Sequence, residues 1–128
     1  MLAGAADLAV NIARSGATAA LPHGNSVGSQ KAQHVYEILR TDLAGNTEVY
    51  KYGISGGALT PGGLSARAEA QVAALNSAAQ GAFNYESSLV REIAGGPGAR
   101  LEALSWERWL VGQYLGLTGA KPPGNIRP

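Results

Sequence analysis

Two short runs of strand-forming residues around a glycine-containing turn most limit how this chain folds. The first run, HVYEIL, covers residues 34–39, and the second, TEVYKYGI, covers residues 47–54. Both are partly alternating and rich in the β-branched and aromatic residues that favour strands. Gly45 and Asn46 lie between them and have the chemistry of a turn. The pattern predicts a β-hairpin.

The segments after the hairpin predict a third strand and two helices. We expect a glycine-rich loop at residues 55–63, an alanine-rich helix at 64–79, a strand at 83–93, a long helix at 100–117 and a rigid, extended tail at 120–128. The fold class that follows is α+β. Helices would flank a small, mainly antiparallel three-stranded sheet, and the functional site would lie across the face of that sheet.

The length of 128 residues fits one domain with a core of its own. Residues 1–30 are rich in Ala, Gly and Ser and end in the octet HGNSVGSQ, which has little to bury. This part is predicted to be a linker or the remnant of an upstream region, and residues 31–128 are predicted to form the functional domain. The absence of cysteine excludes disulfides and thiolate metal sites.

The apolar stretch at the start of the chain predicts neither a transmembrane helix nor a secretory signal. Asp7, Asn11 and Arg14 interrupt residues 1–21, whereas a spanning helix needs about 20 mostly apolar residues. No basic residue precedes the apolar run, as a signal peptide would require. We therefore expect no membrane insertion, and export of the protein would depend on another secretion mechanism.

The balance of charge limits how the chain would bind nucleic acid. The formal net charge is +1, which gives no strong overall field for a polyanion. Proteins that bind nucleic acid usually present a basic patch. Any such patch in this chain would have to be local.

Glu107 is the most informative residue of the second predicted helix. A helix turns by about 100° per residue, which places Glu107 on one face with the apolar residues Ala103, Leu104, Leu110, Val111 and Tyr114. Such a stripe usually faces a core, where a carboxylate is costly unless it is paired or bound to a metal. Two alternatives follow: an ion pair with Arg100 or Arg67, or a functional site.

The second strand concentrates aromatic and basic side chains next to a glycine. Tyr50, Lys51 and Tyr52 immediately precede Gly53. Because side chains alternate across a strand, Lys51 is expected on one face and both tyrosines on the other. Tyrosines are common in strands for packing alone. A lysine followed by a glycine-rich loop is less common, and the glycines would allow a bulky ligand to approach closely.

Five positions, taken in order, resemble the motifs of the GIY-YIG nuclease superfamily. The first motif of that family ends in a tyrosine, here Tyr36 in HVY, and the second ends in a glycine, here Gly53 in KYG. The helical arginine of the family matches Arg67 in LSARAEAQ, and its metal-binding glutamate matches Glu107 in EALSWERWLV. The late asparagine matches Asn125 in PPGNIRP. The resemblance covers roughly residues 33–128.

The chain departs from the family pattern in two places. The first motif lacks its glycine and isoleucine, since His34 and Val35 stand there. Lys51 stands where the family usually has its second tyrosine, although some branches carry lysine at that position. The identity of the second catalytic group is therefore open between Lys51 and a neighbouring tyrosine, Tyr50 or Tyr52.

The resemblance implies a metal-dependent endonuclease that hydrolyses phosphodiester bonds, with DNA favoured over RNA. Its cofactor would be Mg²⁺ or another divalent cation, which takes oxygen ligands and keeps several waters. Glu107 would be the protein ligand of that ion. Arg67 would hold a phosphate oxygen through charge-assisted hydrogen bonds, and Tyr36 would accept a proton from the attacking water.

Two roles are open for Lys51 in this chemistry. A free tyrosine side chain has a pKa near ~10 and is a poor base at neutral pH, but a nearby cation such as Lys51 favours its ionised form. Lys51 would alternatively stabilise the negative charge that develops on the phosphate. Asn125 is expected to orient the last segment of the chain or to contact phosphate.

The linker-like start and the ending PPGNIRP also resemble the C-terminal toxin domains of bacterial polymorphic toxins. That resemblance implies a domain that is secreted or delivered into a target bacterial cell and acts in its cytoplasm. It also implies an immunity protein that protects the producer, most simply an acidic one that covers Lys51 and Arg67. Two rival functions stay open: a metal-independent ribonuclease toxin that uses His34 or Tyr36 with these cations, and a non-catalytic DNA-binding module.

Overall fold

The computed structural model of the chain describes residues 28–126. Residues 1–27, which make up most of the predicted linker, lie outside the described part, as do residues 127 and 128. Ser29 is fully buried, and the carbonyl of Gln30 accepts a hydrogen bond from the Gly96 amide at 2.8 Å. The contacts of the folded domain therefore include Ser29 and Gln30.

An antiparallel three-stranded sheet forms the centre of the fold. Its strands are β1 (Gln33–Asp42), β2 (Thr47–Ser55) and β3 (Phe83–Ile93), in the spatial order β2-β1-β3. Strand β1 lies in the middle, and its residues Val35, Tyr36 and Ile38 are buried. The predicted hairpin and third strand are confirmed, and β1 continues past residue 39 to Asp42.

The turn between β1 and β2 is stabilised by the side chain of Asp42. Its Oδ1 atom accepts hydrogen bonds from the amides of Ala44 and Asn46, each at 2.9 Å. Gly45 has a φ of +88°, a left-handed conformation that glycine adopts without strain. The turn residues of the sequence thus form an aspartate-anchored turn that sets the register of the hairpin.

Two helices, α1 (Ala66–Ala79) and α2 (Ala99–Thr118), cover the two faces of the sheet. Helix α1 packs on the side of Tyr36 and Ile38, whereas α2 packs on the side of Val35. Because consecutive residues of a strand point to opposite faces, the sheet lies between the helices. The predicted α+β arrangement is confirmed. Within residues 28–126, neither helix is long and apolar enough to cross a lipid bilayer.

Helix α1 begins at Ala66 rather than at the predicted residue 64, because Ser65 caps it. The Ser65 hydroxyl accepts a hydrogen bond from the Ala68 amide at 3.2 Å, as serine commonly does at the residue before a helix. Ser65 is 1% exposed, and its Oγ atom lies 2.7 Å from His34 Nε2, which connects the start of the helix to β1.

The side of α2 that faces the core matches the predicted apolar stripe only in part, since Val111 of that stripe lines a cavity instead. Ala103 and Trp106 are buried against Val35, and Leu104 packs around them. Glu107 follows Trp106 directly and is half-buried. A carboxylate at such a depth needs a compensating charge or hydrogen bond, and the surroundings of Glu107 therefore decide its role.

The end of the chain corrects the prediction of an extended tail. Pro123–Asn125 form a short 3-10 helix, in which the Asn125 amide donates to the Pro122 carbonyl at 2.9 Å. Proline is tolerated at the first position of such a turn because no amide hydrogen is needed there. The segment packs against β2, which is an edge strand of the sheet.

Candidate active site

One polar pocket brings together residues that the sequence singled out. It has a volume of about 200 Å³ and is termed the basic pocket. Its walls come from both helices and from two strands, and they consist of Tyr36, Lys51, Gly53, Ile54, Arg67, Arg100, Leu104 and Glu107. The predicted site residues Tyr36, Lys51, Arg67 and Glu107 are therefore neighbours, although each comes from a different element.

The basic pocket lies beside the outer edge of β2. Lys51 and Gly53 lie on the α1 face of the sheet, because they pair with Ile38 and Tyr36 of β1. Ile54 belongs instead to the cluster under α2. A pocket lined from both faces must pass around an edge strand, and β2 is such a strand. Residues from both helices can thus act on one ligand.

Gly53 makes room for the ring of Tyr36. A Cβ atom placed at Gly53 would lie 2.7 Å from Cε1 of Tyr36 and nearer still to the phenol oxygen. Tyr36 is 1% exposed, so its ring has little space to move aside. The glycine that ends the second motif is therefore required by the packing of the tyrosine that ends the first.

Gln71 of α1 connects Tyr36 with Lys51. Its Nε2 atom donates a hydrogen bond to the Tyr36 hydroxyl at 2.9 Å, and its Oε1 atom accepts one from Lys51 Nζ at 3.0 Å. Gln71 was not among the residues predicted from the sequence. A signal was present, since Gln71 follows Arg67 by four positions and so lies on the same face of the helix. One amide thereby fixes the phenol and the ammonium relative to each other.

Three basic side chains make the basic pocket positive. Lys51, Arg67 and Arg100 face a single carboxylate, Glu107. Burial lowers the pKa of Arg100, while the charge of Glu107 opposes that decrease and Arg67 adds to it. Arg100 also donates to Gln33 Oε1 at 3.1 Å. The positive charge is thus local in a chain of low net charge, and Arg100, foreseen only as an ion-pair partner, belongs to the site.

Tyr52 lies away from the basic pocket. It pairs with Glu37, on the face of the sheet opposite to Lys51. Burial raises the pKa of Tyr52, and the nearby charges of Glu37 and Tyr114 raise it further. The structure therefore does not bring Tyr52 together with the residues that line the basic pocket.

Alternation along β2 predicts Tyr50 on the face of Tyr52, and this prediction is wrong. The register between β1 and β2 shifts at the step from Ile38 to Leu39, which leaves Tyr50 as the extra residue of a β-bulge. Tyr50 therefore packs on the α1 side, edge-on to Tyr85 with ring centroids 5.1 Å apart. Its ring belongs to the core rather than to the basic pocket.

Asn125 fastens the end of the chain to β2. Its Oδ1 atom accepts a hydrogen bond from the Tyr52 amide at 2.8 Å, and its Nδ2 atom donates to the Tyr52 carbonyl at 2.9 Å. The preceding Gly124 sits so close that an added Cβ would lie 2.9 Å from Lys51 Cβ. Asn125 thus supports Lys51 and Gly53 from outside the sheet, which corresponds to the predicted orienting role.

His34, the alternative base, is held outside the basic pocket. It is 4% exposed, and its Nε2 atom lies 2.7 Å from Ser65 Oγ. Burial lowers its pKa, against the opposing effect of Glu92. His34 lines a different cavity together with Glu92. A neutral imidazole in this position supports the start of α1.

The number of metal-binding side chains that lie together limits what kind of metal site the basic pocket can form. Among residues 28–126, no group of three or more His, Asp or Glu side chains is placed to hold a metal ion. Mg²⁺, however, is often held by one or two carboxylates, with water and substrate phosphate in the other positions. Glu107, half-buried in a wall of the basic pocket, fits this reduced protein contribution.

Comparisons with known proteins found no match. No family model matches the chain, and neither a curated protein nor a solved structure matches it. The interpretation of its function therefore depends on the chemistry of the basic pocket and on the motif resemblance.

Proposed function

We propose that this domain is a divalent-cation-dependent endonuclease that hydrolyses phosphodiester bonds, with DNA as the favoured substrate. The main support for the proposal is that one pocket, the basic pocket, is lined by Tyr36, Lys51, Arg67 and Glu107. Together they offer cations for the phosphate, a carboxylate for a metal ion and a polar group for the attacking water. Their order in the chain also resembles that of GIY-YIG nucleases.

The scissile phosphate would be bound by the basic side chains. Arg67 is exposed in the first turn of α1, and Arg100 lies in the first turn of α2. A guanidinium binds phosphate oxygens through paired, charge-assisted hydrogen bonds. Lys51 adds a third positive charge, which would stabilise the charge that develops as the attacking oxygen approaches phosphorus.

Tyr36 would act on the proton of the attacking water. Its oxygen is fixed by the hydrogen bond from Gln71, and the same amide fixes Lys51. The proton acceptor and the cation are therefore held in a set relation before substrate binds, which removes an entropic cost from the reaction. A positioned acid–base group typically contributes ~10²–10⁴-fold to the rate.

Glu107 would hold the divalent ion. When bound, such an ion polarises the phosphate and stabilises the leaving oxygen. Leu104 and Arg100 line the pocket beside the carboxylate. The apolar neighbour limits the access of water, and the guanidinium offsets the charge of Glu107 when no ion is present.

A metal-independent ribonuclease is the second candidate function. The charge of Glu107 acts on Arg100, and this observation favours a role for the carboxylate as an ion-pair partner. Tyr36 would then work with Lys51 and Arg67 without a metal ion. A non-catalytic DNA-binding module would use the same cations and cut nothing.

We further propose that the domain acts as a delivered antibacterial toxin in the cytoplasm of a target cell, with an immunity protein as its partner. A small domain without cysteine can unfold and refold during delivery without reshuffling disulfides. The positive pocket beside β2 is suited to an acidic inhibitor, since opposite charges speed association.

The nuclease proposal is tested by incubating the purified domain with DNA and with RNA, each with Mg²⁺ and with a chelator. Cleavage that requires Mg²⁺ is the expected result. Cleavage of RNA in the presence of chelator would instead support the metal-independent ribonuclease. Binding without cleavage of either substrate would support the DNA-binding module.

A matched pair of variants assigns the metal dependence to one side chain. Glu107→Gln keeps the shape and removes the charge, and we expect it to abolish cleavage while the domain stays folded. Glu102→Gln makes the same change earlier in α2, at a residue that does not line the basic pocket, and should leave cleavage intact. Full activity of Glu107→Gln would exclude the metal-site assignment.

A further inference from the structure

A second cavity adjoins the basic pocket on the other side of Glu107. It has a volume of about 340 Å³ and is termed the α2 groove. Its walls come from α2 and from the end of the chain, and they consist of Glu107, Arg108, Val111, Gly112, Leu115, Lys121 and Asn125. Because Glu107 lines both cavities, a ligand that is bound at this carboxylate can extend from one into the other.

The walls of the α2 groove combine cations with apolar surface. Arg108 and Lys121 are exposed, and Val111 and Leu115 contribute aliphatic carbon between them. The volume lies at the lower end of the ~300–1,000 Å³ typical of ligand pockets. Exposed cations of this kind contact the phosphates of a nucleic-acid strand, and the aliphatic side chains between them offer apolar surface to its sugars.

Gly112 adds no side chain to the wall of the α2 groove. Glycine inside an exposed helix costs about 1 kcal/mol relative to alanine, and Gly112 lies well inside α2. A Cβ atom added there would meet no other described atom within 4 Å. Packing within residues 28–126 therefore does not require a glycine at this position. Its missing side chain keeps the α2 groove open.

We infer that the α2 groove binds the part of a nucleic-acid strand that adjoins the cleaved phosphate, so that the substrate is a polynucleotide rather than a small phosphodiester. The inference rests on the proposed function, because the cleaved phosphate is assigned to the basic pocket. Arg108 and Lys121 are then substrate-binding residues that contact phosphates next to the one that is cut.

Binding is measured by fluorescence anisotropy with short, labelled single-stranded DNA and RNA, in chelator so that metal-dependent cleavage does not interfere. The test variant is Gly112→Leu, which fills the α2 groove. The matched control is Gly116→Leu, one turn later in α2, where the added atoms also meet open space but lie outside the groove. Leucine favours helix at both positions, so both variants should fold.

We expect Gly112→Leu to weaken binding roughly tenfold, a loss of about 1.4 kcal/mol, while Gly116→Leu binds as the wild type does. The double variant Arg108→Gln, Lys121→Gln should lower the slope of binding affinity against salt concentration by roughly 1.4 on a double-logarithmic plot, since two phosphate contacts to a single strand are lost.

The outcomes separate this inference from the nuclease proposal. Equal binding by Gly112→Leu and Gly116→Leu, or no binding of either probe by the wild type, would overturn the inference. The expected binding pattern in a domain that never cleaves nucleic acid would support the α2 groove as a binding site and reject the nuclease.

Discussion

The ring of Tyr36 lies directly against the backbone of Gly53, at a position where β1 and β2 place these two residues opposite each other. A side chain at Gly53 would occupy the space of the phenol. The hydroxyl of the same tyrosine is bound by Gln71, which also binds Lys51. A glycine of one strand thus determines where the phenol of the neighbouring strand can lie.

Gly53→Ala is expected to lower both stability and activity. The added methyl group must displace the Tyr36 ring, and overpacking of this kind costs about 1–3 kcal/mol. Urea unfolding measures the stability, and cleavage per folded molecule measures the activity. Gly62→Ala is the control, because its Cβ would meet its nearest described neighbour at 3.8 Å. If Gly53→Ala were as stable as Gly62→Ala, the ring of Tyr36 would have room to shift.

Gln71→Leu is expected to reduce cleavage by roughly ten- to a hundredfold. The substitution removes two hydrogen bonds that are each worth about 1 kcal/mol, and it frees Tyr36 and Lys51 from each other. Gln71→Glu keeps an acceptor for Lys51 but reverses the hydrogen bond with Tyr36, because a carboxylate only accepts and the phenol must then donate. A phenol whose proton is held by this carboxylate is less able to accept a proton from water, so cleavage should fall although Lys51 keeps its partner. An unchanged cleavage rate would leave Gln71 with a structural role only.

Tyr36→Phe is expected to lose cleavage by ~10²–10⁴-fold, the usual contribution of an acid–base group, with binding unchanged. Phenylalanine keeps the packing of the ring against Gly53 and removes only the hydroxyl. Tyr52→Phe, on the opposite face of the sheet, serves as the control and should remain active. The rate is measured under single-turnover conditions and binding by anisotropy. Activity of Tyr36→Phe within a few-fold of wild type would make Tyr36 a packing residue.

His34 is expected to make the fold sensitive to acid. Burial lowers its pKa in the folded state, and Glu92, the carboxylate that acts on it, opposes this only in part. The unfolded chain then binds more protons, so the stabilising contribution is complete above pH ~6.5 and is lost as the pH falls through the folded pKa.

Urea unfolding at several pH values, compared with His34→Gln, measures this effect. The variant keeps a polar partner for Ser65. It should lose less stability than the wild type between pH ~8 and pH ~5, a range that includes the pKa of a free histidine side chain, ~6.5. Glu92→Gln should lose more, because it removes the charge that raises the pKa of His34. Parallel curves for all three proteins would show that His34 does not contribute to the acid sensitivity.

Expression of the domain inside a bacterium is expected to be lethal unless an immunity protein is made with it. The reason is the proposed cleavage of chromosomal DNA or cellular RNA. Induction of wild type beside Glu107→Gln, at equal soluble amounts, gives the comparison, and growth and nucleic-acid integrity are the readouts. Normal growth with intact nucleic acid in the wild type would reject the toxin role, even for a domain that cleaves DNA in vitro.

Local patterns in the chain predicted the elements of the fold and several residues of the candidate site. Hydrophobic alternation, the Gly-Asn turn and the apolar stripe on the last helix are local patterns, and each depends on residues that are close in the chain. The hairpin, the third strand and both helices were therefore predicted within a few residues. Glu107 was a candidate for the same reason, since it is a charged residue within an apolar stripe.

Which of those residues lie together depends on contacts between distant parts of the chain. A β-bulge places Tyr50 on the α1 side of the sheet. Hydrogen bonds between Asn125 and Tyr52 hold the segment that was predicted to be extended against β2. Gln71 joined the site through contacts made across two elements. Such convergence depends on strand register and on where helices dock, which long-range packing sets and which no local pattern in the chain records.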